Sequence, residues 1–273
     1  MVLNPHDVLP IVWDPDTRIG DMLKGLKGLV VGIANADSIA FGCADKLHAF
    51  GADLAVTYLN EKSEKYVRPL ADQLEAEIFM PMDVQIPGQM EAVFEAIREK
   101  WGRLDFVVHS IAFAPKEDLH GRLVDCSALG FEQAMSISCY SFIAMAREAE
   151  KLMTNGGTLL TMSYYGADKV VNHYNVMGPV KAALEATTRY LAGELGEKRI
   201  RVYAMSPGPL RTRAASGIAH FDELVEGAIA RAPGHRLVDI AEIGRVAAFL
   251  VGGGASGMTG DTIYVDAGLH NVA

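Results

Sequence analysis

Gly28-Leu29-Val30-Val31-Gly32-Ile33-Ala34-Asn35-Ala36-Asp37-Ser38-Ile39-Ala40-Phe41-Gly42 reads as a strand that runs through a tight turn straight into a helix. Gly28 to Ile33 is an apolar run of strand length, and the helix is expected to start near Ser38. The turn between them is built of small residues that let a ligand approach the backbone. The helix amino terminus adds unpaired N–H groups and a positive dipole end. A pyrophosphate suits such a turn. The GxGxxG spacing is absent, and a plain glycine turn with Ser38 as helix N-cap accounts for the segment equally well when it stands alone. Gly42 is placed to let the helix lie close to the sheet.

The same rhythm continues along the chain. Further strands are expected at Asp53 to Tyr58, Ile78 to Met80, Asp105 to His109, Thr158 to Met162, Arg201 to Met205 and Thr262 to Val265. Helices begin near Glu61, Gly88, Ala128, Tyr174, Phe221 and Asp239. Seven strands separated by helices, without a Pro/Gly/Ser linker or internal repeat, predict one Rossmann-like, doubly wound, parallel α/β sheet spanning 25–273. Residues 1–24 lack periodicity and read as an amino-terminal arm. Ligands of such sheets lie beyond the carboxyl ends of the strands.

Composition excludes several classes. With 34 acidic and 25 basic side chains the net charge is −9, which repels phosphate backbones and anionic lipids, so neither nucleic acid nor membrane is an expected partner. No apolar run approaches the roughly 20 residues that span a bilayer. Cys43, Cys126 and Cys139 show no metal-ligand spacing and read as reduced, buried packing residues. No metal site is expected. The amino terminus has acids and prolines where a signal peptide has a basic stretch, and the expected compartment is the cytoplasm.

Chemistry concentrates after the strands. Asp83 can accept from an adenine amino group while Val84 packs on the ring, although Asp83 as a simple helix cap is the plainer reading. His109-Ser110-Ile111-Ala112-Phe113-Ala114 offers small and apolar residues against which a ribose and nicotinamide can lie, with His109 itself read as a packed core residue. After the second strand, Glu61 would repel a 2′-phosphate whereas Lys62 or Lys65 would attract one. No arginine pair is offered, which favours NADH and leaves NADPH open.

The most informative segment is Ser163-Tyr164-Tyr165-Gly166 with Tyr174-Asn175-Val176-Met177-Gly178-Pro179-Val180-Lys181. At about 3.6 residues per turn, Tyr174 and Lys181 would share one helix face about 10 Å apart. A nearby ammonium lowers a phenol's pKa, and a lysine that also reaches the cofactor's ribose holds the nicotinamide in register.

These residues resemble the divergent branch of short-chain reductases marked by YxxMxxxK, matched by Tyr174, Met177 and Lys181, and within it the bacterial enoyl-acyl-carrier-protein reductases. The resemblance extends through Gly32 to Gly42, HSIAFAP from His109 to Pro115, Ser163 to Glu185, and SPGPLRTRAASGI from Ser206 to Ile218. It implies hydride transfer from reduced nicotinamide to the β-carbon of a trans-2-enoyl thioester carried on acyl carrier protein. Tyr174 would bond the developing enolate oxygen, Lys181 would hold the ribose, and Tyr164 would line the acyl site. Gly32, Ser38, Ile39, Leu59, Asp83, Val84, Ser110, Ile111, Leu210 and Thr212 match cofactor positions, and Ala114 a substrate position. A homotetramer paired through the helices around Ala128 to Leu152 and Tyr174 to Gly196 is also implied.

The proline in Ser206-Pro207-Gly208-Pro209 resembles the ketone-reducing relatives, which usually carry a serine where Thr161 stands; Thr161 can still donate a hydrogen bond, so a carbonyl-reductase alternative stays open. Leu59 replaces a frequent glutamine. The stretch Leu210 to Ala232, with Gly217, is expected to form a lid, and Arg211, Arg213 and Arg231 to steer the acidic carrier protein.

Overall fold

In the computed structural model, which describes residues 21–212 and 220–272, strand β1 (Lys27–Val31) sends alternate side chains to opposite layers. Val30 joins a core with Cys43, Leu47, Ala71 and Ala247. Leu29 and Val31 join another with Val93, Phe94, Phe142 and Leu184. A strand buried on both faces must be apolar throughout, which is why its sequence is a continuous run and not an alternation.

The remaining strands are β2 (Asp53–Tyr58), β3 (Ile78–Pro81), β4 (Phe106–His109), β5 (Gly157–Met162), β6 (Ile200–Pro207) and β7 (Thr262–Val265). All pair in parallel in the order β3-β2-β1-β4-β5-β6-β7, with Val30 in register with both Val56 and Val108. The direction of winding reverses between β1 and β4, and the crevice opens at their carboxyl ends. This is the single Rossmann-like seven-stranded sheet that the apolar rhythm predicted.

Helices α1 (Ile39–Ala49), α2 (Glu61–Gln73), α3 (Gln89–Trp101), α4 (Lys116–His120), α5 (Ala128–Met135), α6 (Ser141–Glu150), α7 (Met177–Leu195), α8 (Phe221–Arg231) and α9 (Ile240–Val251) connect the strands. Helix α2 is opened by an Asn60–Ser63 capping box and α9 by an Asp239–Glu242 box, which fixes both starts from local sequence. Between α5 and α6 the chain makes a π-turn, Ser136–Tyr140. Short α4 was not anticipated.

Three expectations are corrected. The helix expected near Tyr174 starts at Met177, because His173 (φ 64°) and Asn175 (φ 40°) are left-handed and hold the tyrosine in the preceding turn. Gly42 does not serve helix–sheet approach: a Cβ there would stand 2.4 Å from the Ile240 carbonyl, and one on Gly244 would stand 2.1 Å from the Gly42 carbonyl. These glycines let α1 and α9 cross in backbone contact. Cys126 is only partly buried, unlike Cys43 and Cys139; all three are free thiols.

Residues 1–20 of the expected arm lie outside the described residues, and Leu23, just beyond them, is fully buried. Among the described residues no helix is long and apolar enough to cross a membrane.

Candidate active site

The carboxyl ends of β1 to β4 bring most of the expected cofactor residues to one edge. Gly32 leaves β1 at φ 105°, where a Cβ would lie 2.0 Å from the Ser110 carbonyl after β4, so glycine is required for the two strand exits to meet. The Ser38 hydroxyl does not cap α1. It turns back to accept from the amides of Ala34 (3.2 Å) and Asn35 (3.3 Å) and donates to the Asn35 carbonyl. A helix start without a side-chain cap, at the end of a central strand and flanked by small residues, fits an anionic diphosphate. Ser38 does occupy the N-cap position of α1, as the plain reading has it, but its side chain serves the strand exit and not the helix amides.

Asp83 does not cap α3, whose N-cap is Gly88. Its carboxylate accepts from the Gln85 amide at 2.9 Å and shapes the loop after β3. Val84 and Ile111 pack partly against the core, and Leu59 stands 53% exposed after β2. On the neighbouring helix Arg68 pairs with Glu64 and lies over the Phe79 ring, 4.7 Å from its centroid.

Beside this cradle a cleft of about 310 Å³ opens. Ile39, Ala114, Tyr164, Tyr174, Leu210 and Thr212, all expected at the site, line it. So do Phe113, Ser163, Met177 and Pro207, from segments the sequence singles out, together with Leu119 and Phe221. Nothing in the local sequence marks Leu119 or Phe221, since each reaches the cleft through the packing of its helix. Within the expected lid, α8 supplies Phe221, while Arg213 and Gly217 lie outside the described residues. Arg211 pairs with exposed Asp222 at 2.5 Å, and Arg231 donates to the Gly227 carbonyl at 3.2 Å.

Tyr164 and Tyr174 meet edge to face, their ring centroids 4.8 Å apart. The Tyr164 hydroxyl is buried and has no hydrogen-bond partner among the described residues, and the residue lines the cleft. Burial holds both phenols well above the ordinary tyrosine value, and Glu185 raises Tyr174 further. The expected lowering of Tyr174 by Lys181 is therefore not what the geometry provides. Lys181 is buried and donates from Nζ to the Met162 carbonyl at 2.6 Å. Desolvation brings its ammonium down to about 8, partly opposed by Cys139 and Glu185. Tyr174 is thus a neutral hydrogen-bond donor at physiological pH.

Behind the cleft, His109 is fully buried, with Nδ1 2.9 Å from Thr161 Oγ1 and Nε2 2.8 Å from Ser141 Oγ. Desolvation, then the Lys181 charge, push it down to about 3, so it is neutral, as a core histidine should be. Thr161 is committed to this contact and does not line the cleft, which removes the support it lent to carbonyl reduction. Ser138, in the π-turn, accepts from the Phe113 amide at 2.9 Å and donates to its carbonyl at 3.1 Å, fixing the loop after β4. Sequence periodicity gives no sign of a π-turn, and this support was missed.

Comparison with known proteins agrees with the geometry. A family model described as enoyl-(acyl carrier protein) reductase matches residues 32–270. The enoyl-(acyl-carrier-protein) reductase (NADH) 1 of Rhizobium meliloti is 47% identical over 251 residues, 92% of this chain and 92% of that protein. The corresponding NADH enzyme of Nostoc is 46% identical, over 90% of this chain and 96% of its own. The crystal structure of the Anaplasma phagocytophilum reductase in complex with NAD superposes with a TM-score of 0.90 at 47% identity, covering 94% of this chain and 98% of that one. The Bacillus cereus reductase with NADP+ and an indole naphthyridinone gives 0.90 at 45% identity, covering 93% and 99%. With the motifs in order, the same sheet and near-complete coverage on both sides, the chain belongs to the enoyl-acyl-carrier-protein reductase family.

Proposed function

We propose that this chain reduces the trans-2 double bond of an enoyl thioester presented on acyl carrier protein, using NADH, in the cytoplasmic elongation of fatty acids. The observation that carries the reading is Tyr174, a buried phenol on the wall of an apolar cleft beside the carboxyl edge of β1 and β4. Reduced nicotinamide, when bound, supplies the hydride that the β-carbon receives. A proton returned to the α-carbon of the resulting enolate completes the reduction, and the chain's own residues bind, orient and stabilise around these two transfers. As negative charge gathers on the thioester oxygen, the Tyr174 hydroxyl donates a hydrogen bond that strengthens in the transition state. Lys181 has three donor protons and gives one to Met162, leaving others for the cofactor's ribose. Phe113, Leu119, Met177 and Phe221 exclude water around the acyl chain. Gly32, Ser38, Ile39, Leu59, Asp83, Val84, Ser110, Ile111, Leu210 and Thr212 form the cofactor side, and Ala114 with Tyr164 the substrate side.

NADH is favoured because the end of β2 offers Leu59 and the acidic start of α2, and the Arg68 guanidinium is already paired with Glu64. We place the reductase domain at 25–273. A homotetramer is supported by Leu129, Phe131, Tyr140 and Tyr190, which α5 to α7 leave 75%, 40%, 52% and 76% exposed. Light scattering after gel filtration tests it, and a monomer at micromolar concentration contradicts it. Arg211 and Arg231 are proposed to steer the carrier. Their charge reversal should slow turnover of the carrier-bound substrate and flatten its salt dependence, and an unchanged rate contradicts the proposal.

The deciding assay follows loss of reduced nicotinamide absorbance with crotonyl and acetoacetyl thioesters, each with NADH and NADPH. Turnover of the enoyl substrate is expected. Exclusive turnover of the keto substrate would overturn the reading.

A further inference from the structure

Where β5 ends, three consecutive residues are each held by a different polar partner. Thr161 bonds His109, the Met162 carbonyl accepts from Lys181 Nζ at 2.6 Å, and Ser163 Oγ donates to Glu185 Oε1 at 2.5 Å. The last two contacts belong together. Met162 and Ser163 are neighbours on the chain, and Lys181 and Glu185 stand one turn apart on α7, so the contacts form two rungs between strand end and helix. The rungs run in opposite senses: in one the helix donates, in the other it accepts. All four residues are buried.

A buried acid is costly, and apolar residues of similar volume commonly pack as well or better. The mechanism above gives Glu185 no task, yet both of its neighbours in this clamp border the proposed machinery. Lys181 is the residue proposed to hold the ribose, and Ser163 lines the cleft and precedes Tyr164.

We propose that Glu185 is a positioning residue of the reductase: it pins Ser163, and with it the Tyr164 segment, and places a negative charge one helical turn from Lys181. The inference rests on the reductase reading for the meaning of Lys181 and Tyr164. Around Glu185 stand the charged or titratable groups Lys181, Arg189, Asp168, Tyr174 and Tyr264, with Thr262 and Ser163 as hydroxyl neighbours. Burial raises the Glu185 carboxyl, while Ser163, Thr262 and Arg189 oppose that rise. The charge on Glu185 in turn raises Lys181 against its own desolvation.

Two variants separate the rungs. Glu185→Gln keeps an oxygen to accept from Ser163 and removes the charge. Ser163→Ala keeps the charge and removes the tether. For each full-length variant and the wild type, NADH dissociation constants are measured by nicotinamide fluorescence from pH 6 to 10, with kcat/KM on crotonyl thioester and Tm. In Glu185→Gln the alkaline limb of NADH affinity should move down by about one pH unit. In Ser163→Ala the limb should stay in place while kcat/KM falls about tenfold. Glu185→Ala should show both effects, and if it does not fold the first two variants still decide. Lower Tm with an unmoved limb and unchanged kcat/KM would show a merely structural acid and overturn the proposal. A wild type that binds NADH without reducing the enoyl substrate would instead sink the functional reading, and the movement of the binding limb would still decide the coupling of Glu185 to Lys181.

Discussion

The ring of Tyr164 stands edge to face against that of Tyr174, planes inclined at 62°, and its hydroxyl is buried beside the cleft without a partner among the described residues. An unpaired buried hydroxyl costs about 1–3 kcal/mol. Tyr164→Phe should therefore keep or raise Tm, because it removes that cost and preserves the ring contact. KM for the enoyl substrate should rise several-fold with NADH affinity unchanged. Differential scanning fluorimetry beside initial rates checks both, and a clear loss of Tm with unaltered KM contradicts the role.

The lowered ammonium of Lys181 acts oppositely on activity and stability. Its folded value is about 8 against 10.5 for the free side chain. Between these values the unfolded chain binds a proton that the native protein lacks, so this group's contribution to stability rises with pH across that window. NADH affinity should decline over the same window as the ribose loses its charged partner. Comparing urea unfolding and NADH titrations of wild type and Lys181→Met isolates both effects, and identical pH dependence in the two proteins would refute the assignment.

His109 gives an acid-side effect. It is held at about 3 in the folded protein, against 6.5 unfolded, by burial and by Lys181. Its contribution is complete above about pH 6.5 and is lost as pH falls through 3, on the order of 5 kcal/mol in full. NMR of its imidazole should show no titration from pH 5 to 8. A midpoint near 6.5 would mean that the ring is not sealed between Thr161 and Ser141.

The crossing of α1 and α9 tolerates no added methyl group. In Gly42→Ala the new Cβ would meet backbone at 2.4 Å, and in Gly244→Ala at 2.1 Å. Neither carbonyl moves without moving its helix, so each change should cost about 1–3 kcal/mol, a drop in Tm of roughly 3–10 °C. Wild-type Tm in both would show that the helices stand farther apart.

The strands were legible because a strand buried on both faces declares itself as a short apolar run, and β1, β2 and β5 do so plainly. The site was legible where one local segment carries it, as with Tyr164, Tyr174 and Lys181. Reading failed where partners are distant in sequence. Gly42 touches Ile240 and not the sheet, and Ser163 meets Glu185 across a turn that the helical pattern does not reveal. The start of α7 was misplaced because left-handed His173 and Asn175 interrupt a stretch whose hydrophobic spacing still looks helical. Thr161 is a candidate donor by position alone, and only the fold shows it spent on His109.

The most direct test is Tyr174→Phe, assayed with NADH and crotonyl thioester beside a cofactor titration. Removing one donor to a developing oxyanion should lower kcat/KM about 10²- to 10³-fold while the NADH dissociation constant stays within about twofold of wild type. Full turnover by the phenylalanine variant would contradict the placement of Tyr174 at the reacting thioester.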